Sequence, residues 1–490
     1  MRPHAENNRR TAGCSGARNQ ERCAQRAALR CLLLAPLLFG CSAGDPGQTQ
    51  SGYSLSIESG DKQTGRQDEP LDAPVVIRIS DRSGASVAGL TVRVEILEGD
   101  GHVIDSPPPA DESGHISIVF EPGSDYSHSA RVSLETEPSV AATFTATASY
   151  RYRKPVSQSE DGWITGELDQ SRPASSKVLS AVDRIRDGTY PEVHSLLVVH
   201  RDTLILEAYF GGHDSQGTFV DFDIATPHEV QSASKSFRSL MAGIAIDKGF
   251  IDSVDDALFD YLPEYATLRT ADKEAITIRH LLTMSTGISW NERNGATNNL
   301  SQMYTLPAAQ WAGFVLARPM QYEPGSTFVY NTGASILINQ VVMNASGQST
   351  AGYVKKYYSD LVESPMIPGI GYPLGGKVLP RDMAKLGQVF LRKGLWKQTR
   401  IVSEDWVTAS VAPTFAVDGT DGYGYQWWSR TLYTSVGNFD CYYAGGNGGQ
   451  FIIVVDDLDL VIVTTGGNFD SSVMYQIFGM VSGFVIPGLS

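Results

Sequence analysis

Gln231-Ser232-Ala233-Ser234-Lys235-Ser236-Phe237 is the stretch that decides how most of this chain folds. After it, Phe237, Leu240, Met241 and Ile244 recur at helical spacing, and Lys248-Gly249 makes a helix stop. Ser232 is therefore expected at a helix N-terminus, with Lys235 one turn on and facing the same side. That geometry offers a serine three things. An amine lies beside its hydroxyl, the helix end favours developing negative charge, and a free backbone N–H can enter an oxyanion hole. Taken alone, S-x-x-K is a common pattern, and Ser232 reads equally well as an N-cap.

Outward from that stretch, residues 166–490 mix helical and strand patterns, as an α/β or α+β domain does. Leu196-Leu197-Val198-Val199 and Leu204-Ile205-Leu206 flank His200-Arg201-Asp202-Thr203 and read as a hairpin. Phe451–Val455 and Leu460–Thr464, on either side of Asp456-Asp457-Leu458-Asp459, read as a second. Residues 471–484 read as a closing helix. Two hairpins far apart in sequence, with helical material between them, predict one antiparallel sheet assembled from both ends of the domain and flanked by helices.

Five segments strengthen the reading: "EVQSASKSFRSLMAGIAIDKGFID", "ITIRHLLTMSTGISWNE", "YEPGSTFVYNTGASILIN", "YGYQWW" and "YYAGGNGGQFIIVVDDLDLVIV". In this order they resemble the class C β-lactamase-related serine hydrolases, a family of β-lactamases, D,D-peptidases, esterases and 6-aminohexanoate-dimer hydrolases. The resemblance spans about 165–490 and implies a serine β-lactamase/transpeptidase-like domain. It implies Ser232 as nucleophile, Lys235 as the lysine of the first motif and Tyr330 as the tyrosine of the second. A phenol titrates near pH 10 in isolation, so Tyr330 needs a neighbouring cation to act as a base, and Lys235 is the candidate.

Two departures from the family pattern bear on substrate. Thr332 stands where the second motif often carries Asn. Gly446-Asn447-Gly448-Gly449 stands where the third often begins with Lys or His. Gly448 and Gly449 are expected to form the substrate strand, an N–H near Gly449 completing the oxyanion hole with that of Ser232. Loss of the cation removes an anchor for a β-lactam or peptide carboxylate. The expected activity is thus hydrolysis of a carboxylic ester or small amide through an acyl-enzyme, with no cofactor. The alternatives are a D,D-carboxypeptidase or β-lactamase on the same residues, and a surface binding or adhesion protein whose hydrolase domain is silent.

Other conspicuous residues read as structure. His280 is expected to be a satisfied histidine rather than a base, and Trp290, Trp427 and Trp428 read as pocket lining or core. The nine histidines show no metal spacing, so no metal is expected.

Ahead of this domain, residues 53–148 alternate with period two: Val75, Ile77 and Ile79, then Val92, Val94 and Ile96, then Ile116, Ile118 and Phe120. Short alternating strands between turns predict an all-β sandwich. The order "PVVIRISDRSGASVAGLTVRVEI…DESGHISIVF" also resembles the bacterial immunoglobulin-like domains of the invasin/intimin group. It implies a spacer or docking module with a cell-envelope partner. Residues 149–165, polar with Pro155 and Gly162, read as a linker, and 42–52 as a flexible tether.

The first thirty residues hold seven arginines, and the uncharged run Cys31–Gly40 follows them and ends at Cys41. A basic arm before about ten apolar residues is the build of an export signal, too short to span a bilayer. Leu38-Phe39-Gly40-Cys41 resembles the bacterial lipoprotein signal, which implies a lipid on Cys41 and a protein anchored to the cell or outer membrane; an ordinary signal peptide cut further on is the alternative. Residues 1–41 would then be removed or lipidated, leaving Cys441 as the one internal thiol and no disulfide. The net charge of −15 favours neither nucleic acid nor an anionic membrane face.

Overall fold

The computed structural model describes residues 52–292, 298–364 and 376–490. Tyr53–Ser490 forms one compact unit. The arginine-rich arm, the apolar run, Cys41 and the tether up to Ser51 lie outside the described residues.

The alternating N-terminal segment folds as two small sheets. β1 (Tyr53–Ser59), β3 (Val75–Asp81) and β5 (His115–Ile118) form one, in the order β1-β3-β5. β2 (Gln63–Arg66), β4 (Val92–Glu98), β6 (Ser127–Leu134) and β7 (Ala141–Ser149) form the other, in the order β2-β7-β6-β4. Every second residue turns inward, so Val75, Ile77, Ile79, Ile116, Val132 and Phe144 share one core. Burying each such side chain is worth roughly 1.5–3 kcal/mol.

The larger part is built on a nine-stranded sheet. Its strands are β8 (Ile164–Thr165), β9 (Val193–His200), β10 (Thr203–Tyr209), β11 (Phe415–Ala416), β12 (Gly422–Tyr423), β13 (Trp428–Thr434), β14 (Gly437–Gly446), β15 (Gln450–Val455) and β16 (Leu460–Gly466). They run in the order β8-β10-β9-β16-β15-β14-β13-β12-β11, antiparallel throughout except for β8 against β10. The two expected hairpins meet at the centre, where β9 pairs with β16.

Both faces of this sheet are covered, which is why its central strands are apolar runs instead of alternating ones. Leu197, Val199, Ile452 and Val463 face α2 (Ser234–Asp247), α3 (Thr332–Ser346) and α4 (Pro380–Leu391). Leu196, Val198, Ile453 and Ile462 face α1 (Ser175–Arg186) and the closing segment. That segment begins at Ser472 and runs on to Leu489 through a short wide turn at Val481–Val485, five residues beyond the expected end.

Residues 149–165, read as a linker, are tied down at both ends. Buried Arg381 of α4 bonds Asp161, the Val156 carbonyl (2.7 Å) and Glu207 (2.7 Å). At the start of the segment Tyr150 donates its N–H to Asp183 of α1 at 2.7 Å. Arg186 of α1 donates to the carbonyls of Ala148 (2.6 Å), Ser124 (2.8 Å) and Asp125 (3.2 Å), tying the N-terminal sheets to the larger part.

Candidate active site

Ser232 lies at the N-terminal end of the helical stretch, in a single 3-10 turn, Gln231–Ala233, that runs into α2 at Ser234 with no side-chain cap. The turn is entered through Gln231, whose φ of 48° is left-handed, and whose amide donates to Glu229 at 2.9 Å. A non-glycine residue in that region marks a backbone held by its surroundings. The first N–H with an acceptor inside the turn is that of Ala233, which bonds the Val230 carbonyl at 3.0 Å. The N–H of Ser232 precedes it and so has no partner within the turn.

Lys235 is 3% exposed, and its Nζ donates to Ser232 Oγ at 2.8 Å. The same Nζ stands 4.8 Å from the centre of the Tyr330 ring. Burial pushes the Lys235 ammonium down to about 7, with Glu292 opposing and Arg238 adding to the effect. Tyr330 approaches from just before α3, where Val329 N–H is held by the Met284 carbonyl (2.8 Å) and Asn331 caps the helix. Its ring stacks on Trp428 at 5.9 Å, and Ser232 acts on its hydroxyl, opposing the effect of burial. Burial pushes this phenol further above its ordinary range. Near neutral pH the amine of Lys235 can therefore accept a proton while Tyr330 keeps its own.

Gly448 and Gly449 are not where the sequence reading put them. Strand β14 ends at Gly446, and Asn447-Gly448-Gly449 turn the chain into β15, with φ of 94° and 103° at the two glycines. Their backbone is engaged away from Ser232, Gly448 bridging Asn468 and the Gly449 carbonyl accepting from Thr464 at 3.0 Å. Gly446 is the residue that meets the serine turn. A Cβ there would stand 2.4 Å from the Val230 carbonyl oxygen and 3.1 Å from the Ala233 nitrogen. Only a glycine lets strand and turn touch backbone to backbone.

Ser232 and Tyr330 open into a pocket of ≈ 430 Å³, walled by Phe328, Trp428, Tyr443, Phe451, Met474 and Tyr475 and bordered by Gly445 and Gly446. Arg430 also borders it, but its guanidinium is paired fork-to-fork with Asp421 at 2.7 Å and lies 3.9 Å over the Phe478 ring. A larger cleft of ≈ 690 Å³ on the far side of that pair, lined by Pro413, Phe415, Asp440 and Cys441, does not include Ser232.

Two further groups border the cluster without having been flagged by sequence. Arg238, one turn beyond Lys235, is buried and donates to Ser234 at 3.1 Å. Glu292 accepts from Trp290 Nε1 at 2.6 Å, from the Thr332 hydroxyl at 3.0 Å and from the Thr332 N–H. Thr332, placed where an amide was missed, thus bonds a carboxylate. His280 completes a capping box with Thr277, Trp427 is core, and Cys441 is buried with its thiol pushed up to about 12. Among the described residues no three His, Cys, Asp or Glu side chains are grouped to hold a metal.

Residues 188–466 match the family model described as Beta-lactamase. Protein flp from Staphylococcus aureus is 22% identical over 166 residues, 34% of this chain and 32% of the relative. The chain thus spans about a third of the length of the curated relatives it matches. Among solved structures it is similar to EstCE1, a hydrolase with promiscuous acyltransferase activity, at 15% identity over 63% of this chain and 98% of that one, with a TM-score of 0.51. A putative 6-aminohexanoate-dimer hydrolase from Bacillus anthracis aligns at 19% identity over 67% and 85% of the two chains, with a TM-score of 0.46. With more than half of its length inside the family match, the protein belongs to the beta-lactamase family.

Proposed function

We propose that the enzyme hydrolyses a carboxylic ester or small amide through an acyl-enzyme on Ser232. The observation that carries the reading is the 2.8 Å contact between Ser232 Oγ and a buried Lys235 whose amine is poised near neutrality. As Ser232 Oγ attacks the carbonyl carbon, its proton passes to the neutral amine. The oxyanion is held by the N–H groups of Ser232 and Gly446. Collapse breaks the bond to the alcohol or amine, which leaves with a proton returned from Lys235 through the Tyr330 hydroxyl. Water then attacks the acyl carbon and gives its proton to Lys235. The acid departs and Ser232 recovers its hydrogen.

The choice of substrate rests on the aromatic wall and on the commitment of Arg430 to Asp421, which among the described residues leaves no spare cation lining the pocket for a substrate carboxylate. Fluorophosphonate labelling with site mapping, run beside a short-chain nitrophenyl ester and nitrocefin, tests it. Labelling at Ser232 with ester turnover is expected. Faster nitrocefin turnover would select β-lactam chemistry, and wild-type labelling no greater than that of Ser232→Ala would mean a silent domain.

We further propose that the N-terminal sheets are an immunoglobulin-like docking module and that the protein is exported and lipid-anchored at Cys41. The inward alternation of β3, β5 and β6 supports the first, and the arginine-rich arm before Cys31–Gly40 the second. Detergent-phase partitioning of the wild type but not of Cys41→Ser is the expected result.

A further inference from the structure

Three charged side chains line the pocket that holds Ser232: Asp418, Asp421 and Arg430. The one cation among them is neutralised at contact distance. Arg430 Nε donates to Asp421 Oδ1 and Nη2 to Oδ2, each at 2.7 Å. A two-pronged pair of this shape is the strong kind, and this one is poorly screened, its side chains being 15% and 11% exposed. The loop before β12 holds Asp421 at its post. There Asp418 accepts the N–H of Thr420 at 3.0 Å and that of Asp421 at 2.9 Å.

Arg430 is kept at the wall by more than its partner. It belongs to β13, and its guanidinium carbon lies 3.9 Å from the centre of the Phe478 ring and 5.4 Å from that of Tyr443. Those ring faces favour a cation whether or not Asp421 is charged. Neutralising Asp421 would therefore expose a guanidinium already fixed in place. With Asp421 ionised, a substrate carboxylate reaching this wall must share one cation with it and lie near two anions.

We infer that Asp421 is a specificity-determining residue: by occupying Arg430 it makes the pocket refuse a second carboxylate, so the substrates are esters or amides whose end at this wall is uncharged. The inference rests on the acyl-enzyme reading of Ser232 above. Selectivity of this kind comes from a repulsive group as much as from a missing attraction. A single carboxylate thus stands between this pocket and one that takes the half-ester of a dicarboxylic acid.

The test compares kcat/KM at neutral pH for 4-nitrophenyl hexanoate with two anionic esters of similar size. Mono-4-nitrophenyl adipate carries its charge on the acyl side, and 4-carboxyphenyl hexanoate on the leaving group. The wild type should prefer the neutral ester to both. Asp421→Asn keeps the shape and an acceptor for Arg430 but removes the charge. It should raise the anionic-to-neutral ratio for at least one of the pair by about tenfold or more. The double variant Asp421→Asn with Arg430→Gln has no guanidinium to offer, and its ratio should fall back toward that of the wild type. An unmoved ratio in a folded Asp421→Asn, or an equal gain in the double variant, would overturn the inference while ester turnover upheld the reading beneath it. A wild type that hydrolyses none of the three esters and labels with fluorophosphonate no faster than Ser232→Ala would remove both. Should Asp421→Asn not fold, Asp421→Ser decides by the same ratio, and failure of both to fold would make Asp421 scaffold and overturn the inference as well.

Discussion

Lys235 reaches Ser232 Oγ at 2.8 Å from only three residues along the chain, across the junction between a 3-10 turn and the helix that follows. Removing the hydroxyl leaves the amine and the fold in place. Ser232→Ala is therefore expected to lower ester hydrolysis by about 10³-fold or more with little change in Tm, read by steady-state kinetics and thermal melting.

Because burial brings Lys235 down to about 7, kcat/KM should rise with pH through an acid limb near that value. Tyr330 is shifted upward, out of this range, and contributes no limb between pH 6 and 9. The stability effect has the opposite bearing. An unfolded lysine stays protonated to about pH 10.4. The folded state thus pays most below pH 7, and the penalty fades as pH rises to 10. Lys235→Met should abolish turnover yet raise Tm, and the gain, on the order of a few kcal/mol at pH 6, should shrink at pH 10.

Tyr330→Phe keeps the ring under Lys235 and against Trp428 but removes the hydroxyl. If that hydroxyl passes the proton to the leaving group, kcat should fall by about 10²–10⁴-fold. The loss should be greater for an anilide than for a nitrophenyl ester, whose leaving group needs no proton. Equal losses on the two substrates would contradict the relay.

Gly446→Ala forces a methyl against the Val230 carbonyl, whereas Gly445→Ala meets nothing nearer than 3.3 Å. The first should cost about 1–3 kcal/mol and most of the activity. The second should be milder on both counts, as seen by melting and labelling rate in parallel.

Arg381→Ala leaves Asp161 and Glu207 buried and unpaired, and about 3–5 kcal/mol of stability should go with it. Denaturant unfolding at neutral pH measures this.

What the sequence disclosed was what neighbours along the chain decide. The helical spacing of Phe237, Leu240, Met241 and Ile244 and the apolar runs of β9, β15 and β16 are local signals, and the sheet follows from them. Glu292 carried no such signal, because its partner Thr332 is 40 residues away. The two glycine pairs, Gly445-Gly446 and Gly448-Gly449, look alike on paper. Only the point at which β14 ends decides which of them meets the serine turn. The hold on residues 149–165 was hidden for a similar reason: the arginine that pins them, Arg381, comes more than two hundred residues later. The proton roles of Lys235 and Tyr330 depend on burial, which no spacing reveals.

Arg186 grips three backbone carbonyls at the lower edge of the N-terminal sheets, and Tyr150 is tied back to the same helix. The grip fixes an orientation as well as a distance. If the N-terminal sheets dock on a surface as proposed, the mouth of the pocket would meet it at a set angle, and the substrates within reach would be selected by geometry before any chemistry begins.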